Sequence, residues 1–442
     1  MKKKNNFSRR NFVKTSVVGA IGATIPFSTS NAANSENSGT GEQKIKEYRR
    51  LGRTNFKVSD ISYGAGGLTN ANVFENALKM GVNYIDTAEH YARGRSETTI
   101  GEVLKKIDRK SVFLTTKLNL NMRGRTKEDI RIRFHECLQR LQTDYVDCLM
   151  IHMSPEIEQV TDENFHKVAE ELKAEGKVKF LGLSNHGPEF NMAGRVKDPM
   201  ENVICAAVDD GRFDVALFVY NFLQKEQGER IIKKCKEKDV GVTLMKSNPI
   251  NMYSQLKKSY DEAVGRGETP SERFTNSLKD AEKWWNDAES FREKYGLKSF
   301  TDVRNAATQF VLNNPDVHCV CPTINSFEDL ETFIALSGSR LSPKSTAMLD
   351  DYGSSMGKYY CRHACGICES ACPDNVPVNT IMRYNHYFEA QSREKHAMQK
   401  YFALNTAKAN ICSACAGNCE SECPHDVPIK SLLISAHQNL TV

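Results

Sequence analysis

Four residues of types that move protons stand at or just beyond the ends of short apolar runs. Asp86 and Tyr91 lie in Ile85-Asp86-Thr87-Ala88-Glu89-His90-Tyr91, Lys117 closes Thr115-Thr116-Lys117, and His152 closes Met150-Ile151-His152. A phenol has a pKa of ~10 and is a poor acid at neutral pH unless a nearby cation stabilises its phenolate. A lysine ammonium beside Tyr91 would do that, with Asp86 holding Lys117 charged and oriented and His152 positioning a carbonyl oxygen. Tyr91 then protonates that oxygen as hydride reaches carbon, or takes the proton in the oxidising direction. Singly, each residue has an ordinary explanation: a strand-end His is usually a satisfied structural group, and a Lys usually snorkels to solvent. It is their recurrence at successive run ends that points to chemistry.

Such residues need a scaffold that brings run ends together. Apolar runs at 58–63, 82–87, 112–116, 146–152, 179–184, 215–220, 240–245 and 317–321 alternate with amphipathic segments such as 97–107, 127–141, 163–175 and 227–236. Strand followed by helix, eight times, predicts an α/β chain folded as a (β/α)8 TIM barrel, in which every strand's C-terminal end faces one mouth. A doubly wound open sheet is the alternative, but no G-x-G-x-x-G follows the first run. A charged, mostly helical insertion at 251–299, carrying Trp284 and Trp285, follows the seventh run and reads as a lid or a dock for the tail.

The segment Ile85 to Tyr91, with Gly94 and Ser96-Glu97, resembles the signature of the aldo-keto reductases, and Lys117 and His152 match that family's other two catalytic positions. The resemblance covers roughly residues 48–336. It implies a (β/α)8 barrel, hydride transfer between carbonyl and alcohol, and a catalytic set of Asp86, Tyr91, Lys117 and His152. It also implies a nicotinamide dinucleotide at the mouth. Ser184 and Asn185 correspond to the residues that hold the carboxamide, and Tyr220, Lys246, Thr323 and Asn325 stand at the ends of the sixth, seventh and eighth runs. The family's carboxamide glutamine is replaced by Leu217, and its Pro-Gly after strand eight by Pro322-Thr323. Residues 323–334 contain no Lys or Arg, although a 2′-phosphate normally takes one. Either another loop supplies the cation of NADP(H), or the cofactor is NAD(H), or the dinucleotide is held weakly.

Eight of the 14 cysteines follow Tyr360, as Cys361-x₃-Cys365-x₂-Cys368-x₃-Cys372-Pro373 and Cys412-x₂-Cys415-x₃-Cys419-x₃-Cys423-Pro424. This resembles the two-cluster bacterial ferredoxin module, with one extra residue in a spacer of each group. The resemblance implies two [4Fe–4S] clusters in a small, helical, ferredoxin-like C-terminal domain. The fourth cysteine of each group would cross over, so that Cys361, Cys365, Cys368 and Cys423 hold one cluster and Cys412, Cys415, Cys419 and Cys372 the other. The alternatives are one cluster per group, two Cys₄ zinc sites, or disulfides. The other six cysteines (Cys137, Cys148, Cys205, Cys235, Cys319 and Cys321) lie in apolar elements and read as core.

The formal net charge of +5 is concentrated at the N-terminus, where Lys2, Lys3, Lys4, Arg9, Arg10 and Lys14 precede the first acid, Glu36. The rest of the chain carries a formal −1, which leaves no basic surface for nucleic acid. Ser8-Arg9-Arg10-Asn11-Phe12-Val13-Lys14, the weakly apolar stretch after it and the cleavable Ser30-Asn31-Ala32 resemble a twin-arginine export signal. No stretch reaches the ~20 apolar residues of a membrane span, so no integral membrane segment is expected once the signal is removed. The expected order is signal 1–33, linker 34–47, barrel 48–345 and ferredoxin-like domain 346–442.

These features predict an exported, periplasmic, iron–sulfur oxidoreductase acting on a small carbonyl or alcohol, such as a sugar derivative. A hydride carries two electrons and a [4Fe–4S] cluster takes one; coupling them normally needs a flavin or quinone, and no flavin motif is present. Either the clusters are structural or a redox partner protein bridges the step. Free nicotinamide is scarce outside the cytoplasm, so the dinucleotide would travel out already bound. The alternative is an electron-transfer protein whose clusters act and whose barrel binds a partner, with the nicotinamide site lost.

Overall fold

Alternating side chains on eight parallel strands determine what faces the barrel axis. The computed structural model describes residues 43–441 except 122–123, 155, 188–195, 251–263, 268, 270–271 and 392. The expected export signal, most of the linker and the start of the insertion lie outside the described residues.

A hairpin of β1 (Tyr48–Arg50) and β2 (Lys57–Ser59) precedes the barrel. The barrel strands are β3 (Tyr63–Gly64), β4 (Tyr84–Asp86), β5 (Phe113–Leu118), β6 (Val146–Ile151), β7 (Val178–Asn185), β8 (Val215–Val219), β9 (Gly241–Met245) and β10 (Cys319–Val320). Each pairs in parallel with the next. The cylinder closes through the parallel bridges Ile61↔Val320 and Gly64↔Thr323. All eight runs therefore sit where the pattern put them, with one correction. The run at 58–63 is split: residues 57–59 pair antiparallel with β1, and only Ile61 onward joins the barrel. Leu51 and Val58 from this hairpin region join Tyr84, Phe113, Cys148, Val215, Leu217 and Cys319 in the apolar filling of the barrel.

Helices pack outside. They are α1 (Ala71–Lys79), α2 (Arg95–Leu104), α3 (Lys127–Leu141), α4 (Glu163–Ala174), α5 (Met200–Asp210), α6 (Lys225–Glu237), α7 (Glu272–Tyr295), α8 (Thr301–Leu312), α9 (Phe327–Leu336) and α10 (Pro343–Met356). Thr126 caps α3 and Ser326 caps α9, each in a reciprocal capping box with the Asp three residues on. Helix α7, from the insertion, buries Trp284 and Phe291 against Phe300, Tyr352 and the tail, so it docks the tail.

The tail contributes α11 (Val378–Ala390), α12 (Glu394–Phe402), the single turn α13 (Asn418–Ser421) and α14 (Ile429–Thr441), with the cysteines in the loops and short turns around them. These elements share a core that includes Tyr359, Ile381, Tyr384, Tyr401, Leu432 and Leu440. Among the described residues no helix is long and apolar enough to cross a membrane.

Candidate functional site

On β4, Tyr84 and Asp86 share one face while Ile85 belongs to the outer layer. On β5 the same pleat alternates Phe113 and Lys117 inward with Leu114 outward, and on β6 it turns Cys148 and Met150 inward. The inward column at the mouth thus brings Asp86, Lys117 and His152 together. Lys117 Nζ donates to Asp86 Oδ1 at 2.6 Å and to the Thr87 carbonyl at 2.7 Å, and Lys117 is wholly buried. Burial pushes the Asp86 carboxyl up, while the Lys117 charge pulls it down.

Tyr91 follows β4 in a short turn. Its hydroxyl is 3.5 Å from His152 Nε2, and the Lys117 ammonium is 5.1 Å from its ring centroid. The turn continues through Ala92 (φ 49°), Arg93 (φ 59°) and Gly94 (φ 85°), all left-handed. For the two non-glycine residues that conformation costs of order 1–3 kcal/mol each, a cost that surrounding contacts must offset. Those contacts come from the neighbouring signature residues. Ser96 Oγ lies 2.9 Å from both the Ala65 carbonyl and Thr87 Oγ1, and the buried Glu97 accepts from Thr116 Oγ1 (2.5 Å) and Arg140 Nε (2.7 Å). Glu89 accepts from Asn119 N and Arg133 Nε, each at 2.9 Å. The arrangement is that of a phenol with a buried cation under its ring and an imidazole at its hydroxyl.

The expected dinucleotide contacts separate. Ser184 Oγ accepts from Met153 N at 3.0 Å. Asn185 is buried, and its Oδ1 accepts from Gly187 N at 2.9 Å. Its Nδ2 has no partner among the described residues, a donor suited to a carboxamide oxygen. Lys246 (φ 57°) follows β9 directly, with its ammonium 4.1 Å from the Tyr387 ring centroid. Thr323 forms the closing bridge with Gly64, and the exposed Asn325 lies over Gly67. Tyr220 is a correction: with Ala216 and Phe218 it points outward, its ring on Phe310 (5.4 Å) and against Gly228 in the helix layer. Tyr220 lies one residue past the end of β8, and its burial on Phe310 and Gly228 keeps its ring away from the mouth.

The tail sits on this mouth. Arg383 Nη1 donates to the His186 carbonyl (2.9 Å), and Gln224 Nε2 to the His363 carbonyl (2.8 Å). Asn221 Nδ2 donates to Tyr360 Oη (3.3 Å), and Val196 N to Glu369 Oε2 (2.8 Å). Gly187 is favoured here by its φ of +98°, which L side chains rarely adopt; a Cβ there would also lie 2.7 Å from Arg383 Nη1. Burial, with Lys246 nearby, takes the His386 imidazole down to about 3. Sequence reasoning named none of His186, Arg383 and Tyr387, because nothing local marks a residue that docks across so long a separation. His90, stacked on His152 at 4.8 Å, was also passed over, though it lies inside the signature segment.

No disulfide joins any of the fourteen cysteines. Of the six read as core, Cys137, Cys148, Cys235 and Cys319 are buried, Cys205 is half-buried, and the Cys321 thiol stands beside the Asp86 carboxyl. The eight in the tail line two small cavities. Cys372, Cys412, Cys415 and Cys419 line one; Cys361, Cys365, Cys368 and Cys423 line the other. Each cavity thus takes three cysteines from one sequence group and the last from the other. Among the described residues no three His, Cys, Asp or Glu side chains converge tightly enough for a single metal ion.

Residues 69–353 match the model of the Aldo/keto reductase family. The chain is 33% identical over 156 residues to L-galactose dehydrogenase of Arabidopsis thaliana, covering 31% of this chain and 48% of that protein. It is 26% identical over 196 residues to the NADH-specific methylglyoxal reductase of Escherichia coli (strain K12), covering 39% of this chain and 54% of that protein. The chain spans about half the length of the curated relatives it matches. In fold it resembles aldo-keto reductase AKR11C1 from Bacillus halodurans (holo form), with a TM-score of 0.50 and 21% identity over 69% of this chain and 95% of that one.

Proposed function

The chain belongs to the aldo/keto reductase family, and on that premise we propose that it is an exported iron–sulfur oxidoreductase acting on a small carbonyl or alcohol, a sugar derivative being one such substrate. The observation that carries the reading is the buried Lys117–Asp86 pair under Tyr91, with His152 at the phenol hydroxyl. Asp86 holds Lys117 in place beside the phenol, and Tyr91 gives or takes the proton at the substrate oxygen while His152 orients that oxygen. Ser184, the unpartnered Asn185 Nδ2 and Lys246 are the groups that would hold NADP(H) or NAD(H). When bound, the dinucleotide supplies or accepts the hydride. The test is Tyr91→Phe: turnover should fall with tail thiol chemistry unchanged, and full retention of turnover would overturn the reading.

In the tail, the two four-thiol cavities support two [4Fe–4S] clusters in a ferredoxin-like arrangement, with Cys423 and Cys372 exchanged between the groups. Such clusters, when bound, exchange single electrons. Anaerobic purification with iron and sulfide analysis tests for them. A twin-arginine route, which carries folded proteins with cofactors loaded, suits this assembly and gives a periplasmic location.

Two observations favour the second reading, an electron-transfer protein with a lost nicotinamide site. The tail rests on the β7–β9 ends where a dinucleotide would lie, and Tyr220 is turned away. In that case the barrel serves a redox partner protein, and Tyr91→Phe leaves electron transfer intact.

A further inference from the structure

Beyond the family-matched segment, the tail places Arg393 beside the proton donor at the catalytic mouth. Arg393 lies between α11 and α12, its backbone N–H held by the Tyr387 carbonyl at 3.0 Å. A point one Cβ bond from Gly66, in the loop after β3, is 3.8 Å from Arg393 Nη1 and 4.0 Å from Tyr91 Cε2. The guanidinium and the phenol ring therefore flank the same space. The absence of a side chain at Gly66 keeps that space open.

Arg393 is half-buried and forms no ion pair among the described residues. Its guanidinium carbon is 5.4 Å from the Tyr387 ring centroid, and the Lys246 ammonium is 4.1 Å from the same centroid. Two cations thus share one aromatic ring at the mouth. The acid one helical turn before Arg393, Glu389, accepts from Asn439 Nδ2 inside the tail. A guanidinium fork, partly desolvated beside a proton donor, suits a planar anion bidentately.

We propose that Arg393 is a specificity-determining residue that binds the carboxylate of the substrate, so that the substrate class is a carbonyl or hydroxy acid rather than a neutral carbonyl or alcohol. This rests on the reading of Tyr91 as the proton donor, and the substrate then spans from the Tyr91 hydroxyl to the Arg393 guanidinium. The residue belongs to the tail, so the tail completes the pocket of the barrel.

Calorimetric titration of the anaerobically purified full chain tests it with two probe pairs, glucuronate against glucose and pyruvate against hydroxyacetone. At least one acid should bind about tenfold or more tightly than its neutral partner. Arg393→Ala should erase that preference and Arg393→Lys restore part of it, with the melting temperature as the check on folding. Equal binding of acid and neutral partners, no binding by either acid, or a preference that survives Arg393→Ala overturns the proposal. So does an Arg393→Ala variant that loses NADPH affinity while keeping acid affinity, since the anion would then be the dinucleotide phosphate. Tyr91→Phe separates the two readings. Arg393-dependent acid binding in a chain whose turnover ignores Tyr91→Phe sinks the catalytic reading alone, whereas loss of turnover in Tyr91→Phe beside an Arg393-independent acid preference sinks this one alone.

Discussion

Lys117 Nζ and Asp86 Oδ1 meet at 2.6 Å in a fully enclosed part of the barrel, with Thr87 O as the ammonium's second acceptor. Removing one partner leaves the other charged and buried. Lys117→Met alone should therefore cost about 3–5 kcal/mol by denaturant unfolding. Adding Asp86→Leu to Lys117→Met should recover most of that stability, because an apolar pair needs no charge compensation. Turnover should stay lost in both variants, which separates the pair's stability role from its effect on the phenol.

His152 Nε2 stands 3.5 Å from the Tyr91 hydroxyl. If His152 orients the substrate oxygen, His152→Ala should lower kcat/KM by roughly 10²-fold, measured by steady-state kinetics on a responsive acid substrate. Tyr91→Phe should lower kcat by about 10²–10⁴-fold with KM nearly unchanged.

Arg383 is fully buried and ties α11 to the His186 carbonyl at 2.9 Å. Arg383→Met removes that bond and should loosen the tail on the barrel by about 1.5–3 kcal/mol. Hydrogen exchange is the measurement: amides of 378–390 and 186–187 should lose protection together, with those of β5 and β6 unaffected.

Cys372 lines the cavity of Cys412, Cys415 and Cys419 although it closes the other sequence group. With crossed clusters, Cys372→Ser should cut bound iron and sulfide by about half and remove the same spectroscopic signal that Cys415→Ser removes. Matching instead the signal lost in Cys365→Ser would mean one cluster per sequence group.

Glu389 is buried with its Oε1 accepting from Asn439 Nδ2 at 3.0 Å, and burial raises its carboxyl from 4.5 to about 8. A raised folded value means the folded state binds the proton more tightly. The stabilisation is complete below the unfolded value and is lost as pH climbs from about 4.5 to about 8. Thermal melts should show Tm falling over that window, and Glu389→Gln should flatten the fall, with Tm at pH 8.5 about 2–4 °C above the unsubstituted chain.

Much of the barrel was legible because its determinants are local. Apolar runs and the amphipathic segments between them act within a few residues of themselves, and parallel βα units have one economical way to close. The strand-end positions of Asp86, Lys117 and His152 followed for the same reason. The first run misled because its pattern carries no mark of where pairing changes from β1 to the barrel. Tyr220 misled because its position was taken from a resemblance, while packing on Phe310 and Gly228, distant in sequence or in the next helix, turns its ring outward. Cysteine spacing, in turn, located two four-thiol groups but left open which thiols would share a cavity. That choice, like the meeting of Arg383 with His186, of Lys246 with Tyr387 and of Arg393 with the Gly66 loop, belongs to the tertiary structure. Such contacts join segments that no local pattern couples, and they exist only because the apolar face of the tail is buried on the barrel mouth.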